Sequence, residues 1–242
     1  MFKKIMLVIG AVVILAVVVE SLTAQPRPRG GDFGGRRGGR GFSAAPTQNP
    51  PTAVNEEEKK ILSVLGDMDR NQRGGNMNVP MEDGRILRLL TEAIGAKHVV
   101  EIGTSNGYSG IWFCLALRAT GGKLTTHDID EGRAALARKN FERAGVDDIV
   151  TLVMGNAHET VKNIKEPIDV LFIDADKPGY LDYLQTLLPL VRPGGLILGH
   201  NVNMGSQMQD YIKAITTDGN LETVFQGHGQ DLSVTLKKRL SK

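Results

Sequence analysis

The sequence predicts an α/β fold: a mainly parallel sheet with helices on both faces and an antiparallel hairpin at its carboxyl-terminal edge. Three observations lead there. Short apolar runs rich in Val, Ile, Leu and Thr recur from residue 98 onward, and longer segments with helical spacing separate them. The last two strand-like runs are joined instead by a glycine-rich turn. Helical crossovers make neighbouring strands parallel and cover both faces of the sheet, whereas a tight turn joins antiparallel strands.

In chain order, two helices are expected at about 56–69 and 80–95. Strands follow at "HVVEI" (98–102), "KLTTHDI" (123–129), "IVTLV" (149–153), "DVLFID" (169–174) and "GLILG" (195–199). The segments "EGRAALARKNFERAG" and "GYLDYLQTLLPLV" place apolar residues three and four apart, the helical period. "LETVFQG" and "DLSVTLKK" make the closing hairpin.

The 242 residues, 41% hydrophobic, suffice for one well-buried domain and something more. The addition lies at the front. Lys3 and Lys4 precede an apolar run from Ile5 to Val19, which is shorter than the stretch of about 20 residues a spanning helix needs. Residues 1–24 therefore read as a secretory signal peptide or, because Arg27, Arg29, Arg36, Arg37 and Arg40 follow, as an uncleaved membrane anchor. The expected localisation is membrane-anchored or exported, with the domain that follows facing the cytoplasm if anchored. Residues 25–55, dominated by Gly, Pro and Arg, cannot bury enough apolar surface to order themselves and read as a linker; the domain proper is 56–242.

Charge separates the same parts. Seven Lys and Arg up to residue 55 outnumber Glu20 and Asp32 by five, which leaves −3 for the body out of an overall +2. The body therefore offers no general attraction to nucleic acid. Cys114 is the sole cysteine, so no disulfide forms within the chain.

In parallel sheets of this kind ligands bind at the carboxyl ends of the strands. Four strand ends there carry chemistry. After 98–102 comes "GTSNGYSG", whose glycines at 103, 107 and 110 match neither the dinucleotide spacing nor a triphosphate loop, which argues against a nicotinamide-dependent oxidoreductase. Acidic Glu101 and the absence of a basic residue in the turn suit a cationic or neutral nucleoside ligand. Asp128, at the next strand end, is placed to hydrogen-bond ribose hydroxyls. The fourth strand ends "FIDADKPGY": Asp174 and Asp176 share a face if extension persists, and Pro178 should hold Lys177 in an extended turn. Two carboxylates and an amine there could bind a metal and handle a proton, or cap the next helix as a surface ion pair. His200 and Asn201 follow the fifth strand at the same edge.

Residues from about 70 to 238 resemble the cation-dependent, S-adenosylmethionine-using O-methyltransferases, the family of the catechol and caffeoyl-CoA O-methyltransferases and their bacterial relatives. The similarity is carried, in family order, by "GGNMNVPMEDGRILRLL", "VVEIGTSNGYSG", "DIDEGRAALARKNFERAGV", "MGNA", "FIDADKPGYLDYL" and "RPGGLILGHNV". It implies a Rossmann-like class I methyltransferase fold with a seven-stranded sheet. It also implies that Glu101, Gly103 and Ser109 hold the methionine end of the donor while Met77 and Val79 close over it. Asp128 would take the ribose, Ala157 the adenine and Asp176 the donor's amino group. Asp174, His200 and Asn201 would be the ligands of a divalent metal, with Lys177 as general base.

The chain departs from the family at one position, with His200 where an Asp is usual. Imidazole disfavours magnesium or calcium and suits zinc, iron, nickel or copper; alternatively there is no metal, and His200 is itself the base. The acceptor expected is a small phenolic or other hydroxyl-bearing molecule, because "VNMGSQMQDYIKAI" lacks the aromatic insertion of the CoA-ester enzymes. The other expectations are no nucleic-acid partner, an N-terminal membrane contact and, by analogy with the family, a homodimer. A donor-binding protein that has lost catalysis is the alternative.

Overall fold

The computed structural model describes residues 49–226 and 231–239. Seven strands form one sheet in the order β3-β2-β1-β4-β5-β7-β6. They are β1 His98–Ile102, β2 Lys123–Asp128, β3 Val150–Met154, β4 Ile168–Ile173, β5 Val191–Gly199, β6 Leu221–Gln226 and β7 Leu232–Lys237. β1 to β5 pair in parallel, and β7 pairs antiparallel with both β5 and β6. The fold is the Rossmann-like one expected, with strand order reversing at β1. The hairpin is not simply appended, since its second strand inserts between β5 and the edge strand β6.

Side-chain alternation along the strands decides what each face meets. Val99, Val170, Phe172, Leu196 and Leu198 face one core, shared with helices α1 Glu56–Asn71, α2 Met81–Ala93, α3 Tyr108–Thr120 and α4 Glu131–Ala144. Val100, Ile102, Leu171, Ile173 and Ile197 face the other. That core is closed by α6 Tyr180–Leu187 and α7 Gln209–Thr217, while the short α5 Ala157–Thr160 lies at the end of β3. Counting on along the same alternation, Glu101, Asp174 and His200 belong to the first face, towards α2 and α3.

Residues 49–55, at the end of the expected linker, join the domain. Asn55 Oδ1 accepts from the Glu58 amide at 2.8 Å while Val54 N donates back to Glu58 Oε2 at 2.9 Å, a reciprocal cap on α1. Residues 1–48 lie outside the described residues, and with them the signal or anchor segment and most of the linker. The membrane-anchored or exported localisation is withdrawn. Among the described residues no helix is long and apolar enough to cross a membrane.

Candidate functional site

A cavity of about 560 Å³ opens at the carboxyl ends of β1, β2, β3 and β4, within the usual size range of small-molecule sites. It collects Met77, Val79, Gly103, Ser109, Asp128, Ala157, Asp174, Asp176, Lys177 and Asn201 from segments far apart in the chain. Two of the sequence-predicted residues, Glu101 and His200, are buried behind its wall.

The turn after β1 is built for close approach. Gly103 has φ +103°, and a Cβ there would lie 2.3 Å from the backbone oxygen of Asp174. Only glycine lets β1 and β4 stay in register at the cavity floor. Beneath the turn Glu101 is completely buried, taking hydrogen bonds from Ser109 Oγ at 2.5 Å and Thr126 Oγ1 at 2.6 Å. Burial raises its pKa, the two hydroxyl donors oppose this, and the charges of Asp174 and Asp128 add to the rise, so the carboxyl titrates at about 7. Glu101 thus contacts Ser109 beneath the turn and does not itself line the cavity. Asn140 of α4 ties down the same turn by donating to Asn106 O at 2.9 Å.

Asp128 accepts from Ser105 N at 2.7 Å and from Asp130 N at 2.8 Å, which fixes its carboxylate at the cavity wall with acceptor capacity to spare. Ala157 begins α5 behind Asn156, whose side chain caps the helix through the His158 amide. His158 stacks on Tyr183 with ring centroids 4.6 Å apart and pairs with Asp182 at 2.5 Å. The hydrogen bond to Asp182 raises the His158 pKa, with burial opposing it and the nearby Asp176 charge adding to the rise.

The extension expected after β4 stops short. Lys177–Gly179 forms a 3-10 turn, so Lys177 opens a helical turn instead of lying in an extended one, with Pro178 accommodated in its first positions. Asp174 and Asp176 consequently diverge along the same cavity. Asp176 accepts from Tyr183 Oη at 2.7 Å. Asp174 Oδ1 lies 3.3 Å from Lys177 Nζ, which also donates to Tyr180 Oη at 2.7 Å; that hydroxyl donates in turn to the backbone oxygen of His200, again at 2.7 Å. Burial, with Asp174 adding to it, holds the Tyr180 hydroxyl far above its ordinary range, so it serves as a neutral relay.

His200 continues the alternation of Leu196 and Leu198 and therefore points at α2. Its Nε2 hydrogen-bonds Asp83 Oδ2 at 3.1 Å, and its Nδ1 faces Asp174 Oδ2 at 3.2 Å. Burial lowers the imidazole pKa, but the two flanking carboxylates outweigh it and bring it to about 9. Nδ1 is buried and lacks an aligned hydrogen-bond partner. The His200 Nδ1 and the Asp174 carboxylate, 3.2 Å apart, with Asn201 on the cavity lining beside Asp174, offer the mixed nitrogen and oxygen donors that an imidazole-accepting divalent ion takes. Asn201, at φ +56°, occupies the left-handed region that asparagine tolerates best among non-glycine residues.

Three participants escape sequence reasoning. Asp83 leaves one trace, an acid aligned with Leu87 and Thr91 on the buried side of an amphipathic helix. Tyr180 and Thr126 read as ordinary core and strand residues.

A glycine-turn cavity at the switch point of a parallel sheet, with an acid at the second strand end and an Asp-Lys pair at the fourth, defines a nucleoside-binding α/β enzyme of transferase type. Residues 52–214 match the O-methyltransferase family, and the chain belongs to that family. It is 40% identical over 138 residues to a catechol O-methyltransferase of Niastella koreensis, an alignment covering 55% of this chain and 62% of that one. A catechol O-methyltransferase of Mycobacterium tuberculosis is 40% identical over 159 residues, covering 63% and 71%. The chain thus spans about two thirds of the length of these relatives. Among solved structures, the O-methyltransferase from Bacillus cereus in complex with SAH superposes with a TM-score of 0.62 at 28% identity, covering 77% of this chain and 92% of that one.

Proposed function

We propose that the chain transfers the methyl group of S-adenosylmethionine to a hydroxyl of a small, catechol-like acceptor. The carrying observation is that a single cavity joins a nucleoside-sized wall (Gly103, Ser109, Asp128, Ala157, Asp176) to an Asp174–Lys177 pair. Family membership and the SAH complex of the Bacillus cereus relative support the same donor.

In this reading the turn after β1 holds the methionine end of the donor, Asp128 accepts from the ribose hydroxyls, and Asp176 pairs with the amino group. Met77 and Val79 cover the bound donor. The acceptor oxygen attacks the methyl carbon as the carbon–sulfur bond breaks, and S-adenosylhomocysteine leaves. The hydroxyl proton passes to Lys177 Nζ in its uncharged form, which Asp174 and Tyr180 hold in place. Asp174, His200 and Asn201 would hold a divalent ion, which when bound lowers the pKa of a chelated hydroxyl. The remainder of the rate is positioning.

The test is transfer of a labelled methyl group from S-adenosylmethionine to a panel of catechols, with single divalent metals or with chelator. Methylated product is expected. Donor binding without product on any hydroxyl acceptor would count against the reading.

A further inference from the structure

We propose that Asp83 is a positioning residue that makes His200 a nitrogen ligand, so that the cation site of this chain takes an imidazole-accepting transition-metal ion in preference to magnesium or calcium. The inference rests on the function proposed above and concerns a residue outside the cavity.

His200 is 4% exposed and Asp83 2%. The Nε2 to Asp83 contact at 3.1 Å is an aligned hydrogen bond, whereas Nδ1, at 3.2 Å from Asp174 Oδ2, is a buried nitrogen with no aligned partner. The two ring nitrogens are therefore unequal. Asp83 retains the proton of Nε2, and Nδ1 is the atom left to offer a lone pair on the side of Asp174. A spacing of 3.2 Å is what two donors sharing one ion show at bond lengths of about 2.0–2.1 Å. A carboxylate on the far nitrogen is the usual partner of a metal-bound imidazole, fixing its tautomer and increasing its basicity.

The position of Asp83 is itself built in. A Cβ on Gly84 would lie 2.3 Å from Trp112 Nε1, so glycine there allows α2 to pack against α3 closely enough for the neighbouring carboxylate to reach His200. Asp231 also approaches the ring: donor atoms of Asp83, His200 and Asp231 all lie within 4.8 Å of one another. An ion among those three would need Nε2, whose proton is already directed at Asp83. The cavity side is thus the favoured one.

The experiment titrates cobalt(II) into the full chain, reading the visible absorption spectrum and calorimetry, with S-adenosylhomocysteine binding measured in parallel. Wild type is expected to bind cobalt with the spectrum of a nitrogen-containing site and to bind magnesium far more weakly. Asp83→Asn, whose amide oxygen can still accept but carries no charge, should weaken cobalt about 10–100-fold while S-adenosylhomocysteine binding is retained; Asp83→Glu, which keeps the carboxylate, should recover the spectrum. Asp174→Asn should abolish binding, Asp231→Asn should preserve it, and His200→Asp should shift the preference towards magnesium. The proposal is overturned if wild type binds no cobalt, if both Asp83 variants behave alike, or if Asp231→Asn removes the ion while Asp174→Asn retains it. Failure of wild type to bind S-adenosylhomocysteine would instead overturn the proposed function.

Discussion

Replacing Glu101 by glutamine should abolish a pH dependence of stability that the buried carboxyl imposes. The folded protein holds this proton up to about pH 7, against an ordinary value of 4.5, chiefly because burial disfavours the charge. Over that interval the folded state binds more protons than the unfolded one, so stability falls as pH rises and the loss levels off above about 7. Integrated between about pH 5 and about pH 8, the loss is about 2.5 kcal/mol. The glutamine variant can still accept from Ser109 or Thr126 but cannot ionise. Urea unfolding of both proteins at the two pH values isolates the effect, because titrating groups that do not interact with Glu101 cancel in the difference. The stability gap should move by about 2.5 kcal/mol in favour of the variant between the lower and the higher pH. A gap that stays constant would refute the reasoning, since it would mean that Glu101 titrates alike in the folded and unfolded chains.

Three further outcomes are expected. Gly103→Ala places a methyl against the Asp174 carbonyl and enforces a left-handed backbone, so it should cost about 1–3 kcal/mol from backbone strain alone and reduce donor affinity, measured by unfolding and by calorimetry with S-adenosylhomocysteine. Asp128→Asn removes the charge and turns an NH2 towards one of the two backbone amides, Ser105 N or Asp130 N, that the carboxylate accepts from, and should weaken nucleoside binding by about 10–100-fold, corresponding to about 1.5–3 kcal/mol for a hydrogen bond to a charged group. Lys177→Met should lower kcat by about 10²–10⁴-fold with donor affinity nearly unchanged, read by single-turnover methyl transfer and calorimetry.

The fold was legible because its signals are local. Each of the five parallel strands contains a short run rich in Val, Ile, Leu or Thr, and the glycine-rich turn announced the hairpin. β5 is the instructive exception. It begins at Val191, paired with Ile168, before a register shift that carries residues 192–195 out of the ladder, so regular pairing resumes only inside "GLILG", where the sequence placed the strand. The insertion of β7 beside β5 is a long-range choice with no local signature. Site residues at strand ends were legible by type, since the carboxyl-edge rule pointed to Asp128, Asp174 and His200. Their orientation was not. The alternation that buries Val99 and Leu198 also sends Glu101 and His200 behind the cavity, and Asp83 reaches His200 across 117 positions of sequence.

The insertion of β7 has a consequence for how the chain assembles. Ser233 Oγ bonds both the amide and the carbonyl of Gly199, at 3.1 and 3.3 Å, immediately before His200. During synthesis β5 leaves the ribosome well before β7, and until β7 arrives β5 presents a free, apolar edge, the kind of surface that recruits foreign strands. The same late arrival sets the end of β5 from which His200 and Asn201 project. Quality control and maturation of the site thus converge on one event, the docking of the last described strand, and a nascent chain stalled before it would combine an unfinished site with its most aggregation-prone edge.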